Sequence, residues 1–458
     1  MTFHGNRDYG AMQGTNGKEI PPPPSGFSRL VWLGPGFLWM VSAAGSGELL
    51  FTPRIAAQYG YSLLWAMLAA VTLKWFINRE IGRLAVCTGV PVLDGYKKLG
   101  NWALWVILVP QLVVAAASIA GLAASAATAL ILFLPGDVRL WMIVSILSST
   151  ALVVWGKYKK VEATARILAV VLAIASIAAA VAVFPTFSEL AAGLVPRLLP
   201  DVQYVEILPW LGYMLSGAAG MMWYSYWITS KGYGAAHLQR ENNEPANLQE
   251  LSPEQRSRLK GWLTQMTLDT SVAVIGALII TLAFLILGAE LLRPRGLVPE
   301  EEQVAATLGI LLGGVFGVFG FWFMIIAVFI GFWDTVLSDQ DGFGRLFAGG
   351  TRILARSFGL AGRWTDDEFL RKAFVIVLVT IVPIALYLMI GNPVTLLKMA
   401  GAIEAAHIPV ITFLTLFLNH KLLPAEMRPS LPVIIVTGSA GLFFAAFAVF
   451  YLVQSFGL

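Results

Sequence analysis

Gly45-Ser46-Gly47-Glu48 sets one acid beside two glycines, between an apolar run at 30–44 and a further hydrophobic stretch. A carboxylate at membrane depth costs roughly 2.5–3.5 kcal/mol on insertion scales, so it faces a cavity or a partner. Adjacent glycines let a helix unwind and turn carbonyls toward a ligand, which lipid does not tolerate but a binding cavity does. The plainer alternative is a kinked helix whose acid is tied to a neighbour. A second small-residue run, Ser216-Gly217-Ala218-Ala219-Gly220, precedes Met221-Met222-Trp223. Glu404 and His407, three apart, share one helix face. Glu-x-x-His is a di-metal pattern only when other helices add carboxylates, so a hydrogen-bonded pair capping a polar cavity is the simpler reading. A histidine titrates near neutral pH, which also makes His407 the candidate for proton coupling. Lys74 and Glu80 lie on different helix faces, so each is expected to pair with another helix, and Glu80 has Arg83 as a local partner. Both read as gate or packing residues. Trp223, beside the second break, could line a substrate path. Asp341-Gly342 reads as a turn.

The elements that must position these residues are membrane helices. Hydrophobic residues make up 57% of the 458-residue chain and charged residues 13%, about half the share of a soluble domain. The single Cys87 excludes an internal disulfide framework and a cysteine metal cluster. Eleven apolar runs are predicted to span, near 30–58, 61–82, 102–134, 138–156, 164–187, 205–230, 264–290, 306–337, 373–391, 395–420 and 431–455. The third and eighth are long enough to tilt or to project beyond the bilayer. Continuous apolar runs rather than alternating strands exclude a β-barrel. Residues 1–29, polar and ending near Pro21, Pro22, Pro23 and Pro24, read as a disordered cytosolic tail.

Charge fixes an expected orientation. With the N-terminus inside, the inner segments hold 24 Lys and Arg residues and the outer ones six, with Lys74 inside a span. The C-terminus is then outside, and the isoelectric point near 9.1 needs no nucleic-acid partner. The expected partners are the bilayer and a transported species, with the chain a monomer or weak oligomer in the cell membrane. Spans 1–5 and 6–10 form halves of opposite orientation, and each half opens on a glycine-interrupted span. Paired breaks of this kind are the mark of an inverted-repeat transporter with its site near the midplane. The domain plan is therefore a tail (1–29) and one transporter domain (30–458), with repeats at 30–187 and 205–420 and an extra span at 431–455.

Further wording narrows this. Gly34-Pro35-Gly36-Phe37-Leu38 opens span 1, Ala57-Gln58-Tyr59-Gly60-Tyr61-Ser62-Leu63-Leu64-Trp65 opens span 2, and Arg83 and Thr88-Gly89 end it. In these phrases the chain resembles the Nramp family of divalent-metal transporters. The resemblance implies an all-α fold of the leucine-transporter type with alternating access. The family's usual Asp-Pro-Gly-Asn motif becomes Gly45-Ser46-Gly47-Glu48, so Gly45 stands where the main ligand would be and Glu48 where an Asn would be. In span 6 Met221 keeps the metal-ligating position, while Met222 and Trp223 replace Pro and His, and a second family His falls on Ile228. Family acids in span 3 fall on Ser118 and Gly121, an earlier one on Gln111, and a span 10 amide near Gly401. A divergent branch is implied, which Asp341-Gly342 with Arg345, Leu422-Leu423-Pro424 and Arg428-Pro429 also fit.

By this resemblance the metal site would combine Glu48, Met221 and the carbonyls of Ser42 and Ala218. Hard oxygens plus a thioether suit manganese or ferrous iron better than magnesium. Glu404, His407, Trp223 and Glu80 are the expected gate or proton-linked residues. The expected function is secondary transport of a divalent metal, without a resident cofactor and with little proton coupling because the span 3 acids are missing. The alternative is a non-metal solute carried by the same fold. Nucleophile-elbow, P-loop, Rossmann and metalloprotease signatures are all missing, so an enzyme is not expected.

Overall fold

In the computed structural model, residues 19–156, 159–197, 202–238 and 244–457 are described, apart from the side chains of 41–46, 159–163 and 165–166. Among them every regular element is a helix. Span 1 comprises Pro35–Ala43, Ala44–Phe51 and Thr52–Tyr59, and span 2 is Leu64–Thr88. Spans 3, 4 and 5 are Asn101–Leu130, Val138–Trp155 and Lys159–Ala182. Span 6 is two half-helices, Tyr204–Tyr213 and Ala218–Lys231, and span 7 runs through Pro253–Leu287 into Gly288–Leu292. Spans 9, 10 and 11 occupy 367–390, Pro393–Leu422 and Leu431–Phe456. Among the described residues seven helices, one of them the long helix at 301–357, are long and apolar enough to cross a membrane singly, eight if span 5 is joined to the short helix bent from it. Spans 1 and 6 fall outside that number because they are divided, and span 2 because Lys74, Arg79, Glu80 and Arg83 interrupt it. Two five-span halves, each opening on an interrupted span, make the leucine-transporter-type inverted repeat.

Three expectations change. Residues 306–337 are not one span: Gly317 adopts φ 63° and ψ −150°, and the helical segment 304–316 folds back on the next helix. A Cβ at Gly309 or Gly313 would press on Phe321, and one at Gly320 on the Leu312 carbonyl, so glycines let the two segments touch. Span 8 proper begins at 318 and continues to 357. Asp341-Gly342 therefore lies inside a helix rather than in a turn, and Asp341 pairs with Arg345 at 2.8 Å and Arg371 at 3.2 Å. The end of the expected tail is also packed. Ile20 is fully buried, its carbonyl accepts from Arg258 at 2.8 Å, and Pro21 accepts from Trp262 at 3.0 Å. One apolar residue and two carbonyls give this stretch a docking surface on span 7 that its polar composition hides.

Spans 3, 8 and 10 are the most extensively packed, and the first half of span 6 lies against span 10. Gly212 and Gly401 make that contact possible, since a Cβ on Gly212 would sit 2.1 Å from the Gly401 carbonyl oxygen. A larger polar residue at Gly401 would force the two helices apart. The start of span 1 is held by Asp269 of span 7, whose oxygens accept the N–H groups of Gly34 at 3.0 Å and Gly36 at 2.6 Å. Pro35 between them has no N–H to satisfy, so the Gly-Pro-Gly opening matches a single carboxylate to both free donors.

Candidate functional site

The two breaks differ in kind. Span 1 does not unwind at Gly45-Ser46-Gly47: Ala44–Phe51 widens into a π-helical segment, and the backbone stays helical throughout. The expected opening of span 1 toward a ligand is therefore absent, and the surroundings of Ser42 and Gly45 lie outside the described residues. Span 6 is the true break. Leu215 and Ser216 follow the first half-helix with φ 54° and 73°, two successive left-handed conformations without glycine. Each costs on the order of 1–3 kcal/mol and persists only where the surroundings over-determine it.

Two side chains supply that determination. The Glu48 carboxylate, 2% exposed, reaches from span 1 and accepts the Leu215 N–H at 3.0 Å, with Thr281 at 3.4 Å beside it. Lys74, fully buried in span 2, donates to the carbonyls of Gly212 (2.7 Å), Met214 (2.6 Å) and Ser216 (2.9 Å). Three acceptors at these distances require three N–H donors, which only the ammonium form provides. The Lys74 charge also acts on both Glu48 and Glu404.

Glu404 of span 10 meets the opposite lip of the break. It accepts the Ala219 N–H at 3.2 Å, at the start of the second half-helix, where unpaired N–H groups and the helix dipole favour an anion. Gly217 is required here, because a Cβ would lie 2.5 Å from the Glu404 carboxyl carbon. Gln111 of span 3 lies against the same carboxylate and bonds His407 Nδ1 at 3.0 Å. Glu404 and His407 are thus joined through Gln111 rather than bonded to each other.

A crevice of about 380 Å³, solvent at its mouth included, lies beside the break. Its polar lining is Glu404, Asp339, Ser118, Tyr213, Ser216 and Thr335, and Trp223 and Phe343 pack edge to face at 5.1 Å along its wall. Ser118 donates to Asp339 at 3.2 Å. Among the described residues neither the buried Tyr213 hydroxyl nor the Trp223 indole N–H has a hydrogen-bond partner. Among the described residues no three His, Cys, Asp or Glu side chains converge as a metal cluster. Thr335 also borders an apolar pocket of about 960 Å³, open solvent included, between spans 1, 5, 7 and 8.

Of the sequence-derived candidates, Glu48, Glu404, Ala218 and Trp223 meet at the break of span 6, and His407 joins them through Gln111. Met221 is fully buried but does not border the crevice. Glu80 is elsewhere, bonded to Arg83 at 2.8 Å and Asn419 at 3.0 Å, where it packs span 2 against span 10. Sequence reasoning missed Asp339 and Tyr213 as lining residues and gave Lys74 no partner. Only the intramembrane charge of Lys74 signalled it.

The far end of the break is latched on the face opposite the start of span 1. Arg54 bonds both oxygens of Glu206, at 3.0 and 3.2 Å, and also Glu300 at 2.9 Å and the Pro299 carbonyl at 2.7 Å, while Lys398 pairs with Glu206. On the other face, Lys231 donates to the Val31 carbonyl at 3.0 Å, and Trp32 packs against Trp262 at 4.6 Å.

Comparison with known proteins agrees with this architecture. An uncharacterized protein of Pasteurella multocida is 22% identical over 420 residues, covering 86% of each chain. The metal transporter Nramp6 of Arabidopsis thaliana is 32% identical over 92 residues, which is 19% of this chain and 18% of its own length. The Eremococcus coleocola manganese transporter, solved with an aromatic bis-isothiourea substituted compound, superposes with a TM-score of 0.68 at 14% identity, covering 97% of this chain and 91% of that one. The last likeness is one of fold. The model of the Nramp family, described as natural resistance-associated macrophage protein-like, matches residues 36–454, and the chain belongs to that family of membrane transporters, which are not enzymes.

Proposed function

We propose that the protein carries a divalent metal ion through the crevice at the span 6 break by alternating access. The observation that carries this reading is the pair of carboxylates, Asp339 and Glu404, facing one small crevice beside a half-helix start. With the Tyr213, Ser118 and Ser216 hydroxyls they offer an oxygen-rich lining, which suits a hard divalent ion. Manganese accepts such oxygen donors and is the ion to test first. The expected preference for manganese or ferrous iron over magnesium rested on the Met221 sulfur, which does not border the crevice. The family assignment and the manganese transporter of like fold support the same reading. Glu48 serves the site indirectly, by fixing Leu215.

Alternating access would exchange the two latches, Arg54–Glu206 on one face and Lys231–Val31 on the other. Lys and Arg placement supports an inner N-terminus and an outer C-terminus in the cell membrane. Strict proton coupling is not expected, since the span 3 positions facing Asp339 and His407 are Ser118 and Gln111, neither of which titrates. The decisive experiment is manganese uptake into proteoliposomes containing the wild type, Glu404→Gln or Asp339→Asn. Uptake at low manganese concentration strongly reduced by both substitutions supports the reading, and uptake indifferent to both sinks it.

A second reading has one specific observation behind it. Trp223, Phe343 and Tyr213 wall the crevice, and a small organic cation could sit on those rings between the two acids. Competition of manganese uptake by small alkylammonium ions separates the two.

A further inference from the structure

The end of a half-helix with its carbonyls turned inward is a cation site, because the last carbonyls have no helical partner and the dipole is negative there. In this protein the first half of span 6 ends in such a cradle, formed by the carbonyls of Gly212, Met214 and Ser216. It is already filled by the Lys74 ammonium at 2.6–2.9 Å. We propose that Lys74 is a tethered cation: its side chain permanently occupies a carbonyl site built for a free monovalent ion, and removing it re-creates a site for sodium, potassium or ammonium.

Five features support this. The cradle is neutral, so a single positive charge satisfies it, whereas a hard divalent ion requires carboxylate ligands. Lys74 has no exposed surface and donates three hydrogen bonds to backbone carbonyls, so the backbone provides its first coordination layer. The three carbonyls bracket the two strained residues, Leu215 and Ser216, so the cation fixes the shape of the break. The Phe444 ring of span 11 lies 5.6 Å from Nζ and adds a further surface that favours a cation. Glu48 and Glu404 stand within electrostatic range on either side, which makes an empty cradle a site of net negative potential.

In the wild type, the span 6 break then needs no free monovalent ion. The inference does not depend on which species the crevice transports, and its readout is thermal stability rather than uptake. Lys74→Ala shortens the side chain to a methyl and leaves room for an ion; Lys74→Met fills the space without charge. Melting is followed in sodium, potassium or ammonium chloride against N-methyl-D-glucamine chloride at equal ionic strength. Ligand that binds only the folded state raises its melting point saturably. Lys74→Ala is expected to gain several degrees, with saturation, from at least one of the three small ions, while the wild type and Lys74→Met gain none. A folded Lys74→Ala protein that responds equally to all four salts overturns the proposal. If Lys74→Ala cannot be recovered, the wild type decides: selective stabilisation by sodium or potassium over N-methyl-D-glucamine, retained in Lys74→Met, also overturns it.

Discussion

The Glu48 carboxylate of span 1 accepts the Leu215 N–H of span 6 at 3.0 Å, so the two interrupted spans are joined by an acid on one and bare backbone on the other. Both groups are buried, and leaving a buried donor unpaired costs about 1–3 kcal/mol. Glutamine at this position keeps an acceptor for Leu215 but loses the charge. Glu48→Gln should therefore melt close to the wild type, and Glu48→Ala should be less stable by about 1–3 kcal/mol. If Glu48 acts by position, Glu48→Gln also retains most manganese uptake. Loss of uptake in a stable Glu48→Gln protein would return the carboxylate to the role of a metal ligand.

The crevice assignment separates Met221 from the acids. Asp339→Asn and Glu404→Gln each remove one charged oxygen donor from a small lining, and tenfold weaker binding corresponds to about 1.4 kcal/mol. Each should raise the half-saturating manganese concentration by about tenfold or more. Met221→Ala should leave it within about twofold, since the sulfur does not line the crevice. Concentration-dependent uptake in proteoliposomes reads both numbers. A Met221→Ala defect larger than that of Asp339→Asn would place the ion on the far side of the break.

Much of this arrangement could be read from residue types alone. Glu48, Glu404 and Trp223 stood out because charge or small-residue runs inside apolar segments demand a reason, and all three meet at the span 6 break. The form of the span 1 break could not be read, because glycines permit a loop and a π-helical widening equally well. Lys74 announced itself as an intramembrane charge, yet its partners are carbonyls, which carry no sequence signal. Asp339 was hidden because the apolar run was expected to end near 337 and Asp341-Gly342 read as a turn, whereas the helix runs on to 357. Gly401 and Gly121 looked like lost polar positions. At Gly401 the gap has a packing cause, since Gly212 of span 6 lies directly against its carbonyl.

The latch at Arg54 and Glu206 should control access from one side. Removing one partner of a buried ion pair costs about 3–5 kcal/mol because the other charge is left uncompensated, so Glu206→Gln places that penalty on the closed arrangement. Ser216→Cys places a thiol on the crevice wall, and the only native cysteine, Cys87, is fully buried and so gives little background. In sealed vesicles, a membrane-impermeant maleimide should label Ser216→Cys faster from the Glu206 side once Glu206→Gln is added. Lys231→Met should accelerate labelling from the opposite side instead. Identical side preference in all three proteins would exclude these contacts as gates.

Asp94 gives a pH test outside the spans, in the short helix Val92–Tyr96 that follows span 2. Burial raises its pKa from 3.8 to about 6, against the opposing pull of Arg352, which itself pairs with Asp367. Because the folded value lies above the unfolded one, the favourable contribution is present at low pH and is lost as pH rises through about 6. Above that pH the folded protein carries a poorly solvated carboxylate. A shift of this size corresponds to roughly 3 kcal/mol at most, and less where water reaches the group. Asp94→Asn should therefore melt higher than the wild type at pH 7.5, by less as the pH falls through about 6, and equal to it only below about pH 3.8. A gap of the opposite sign, with the wild type more stable at pH 7.5, would mean that the charge of Asp94 is used in an ion pair with Arg352 rather than strained by burial.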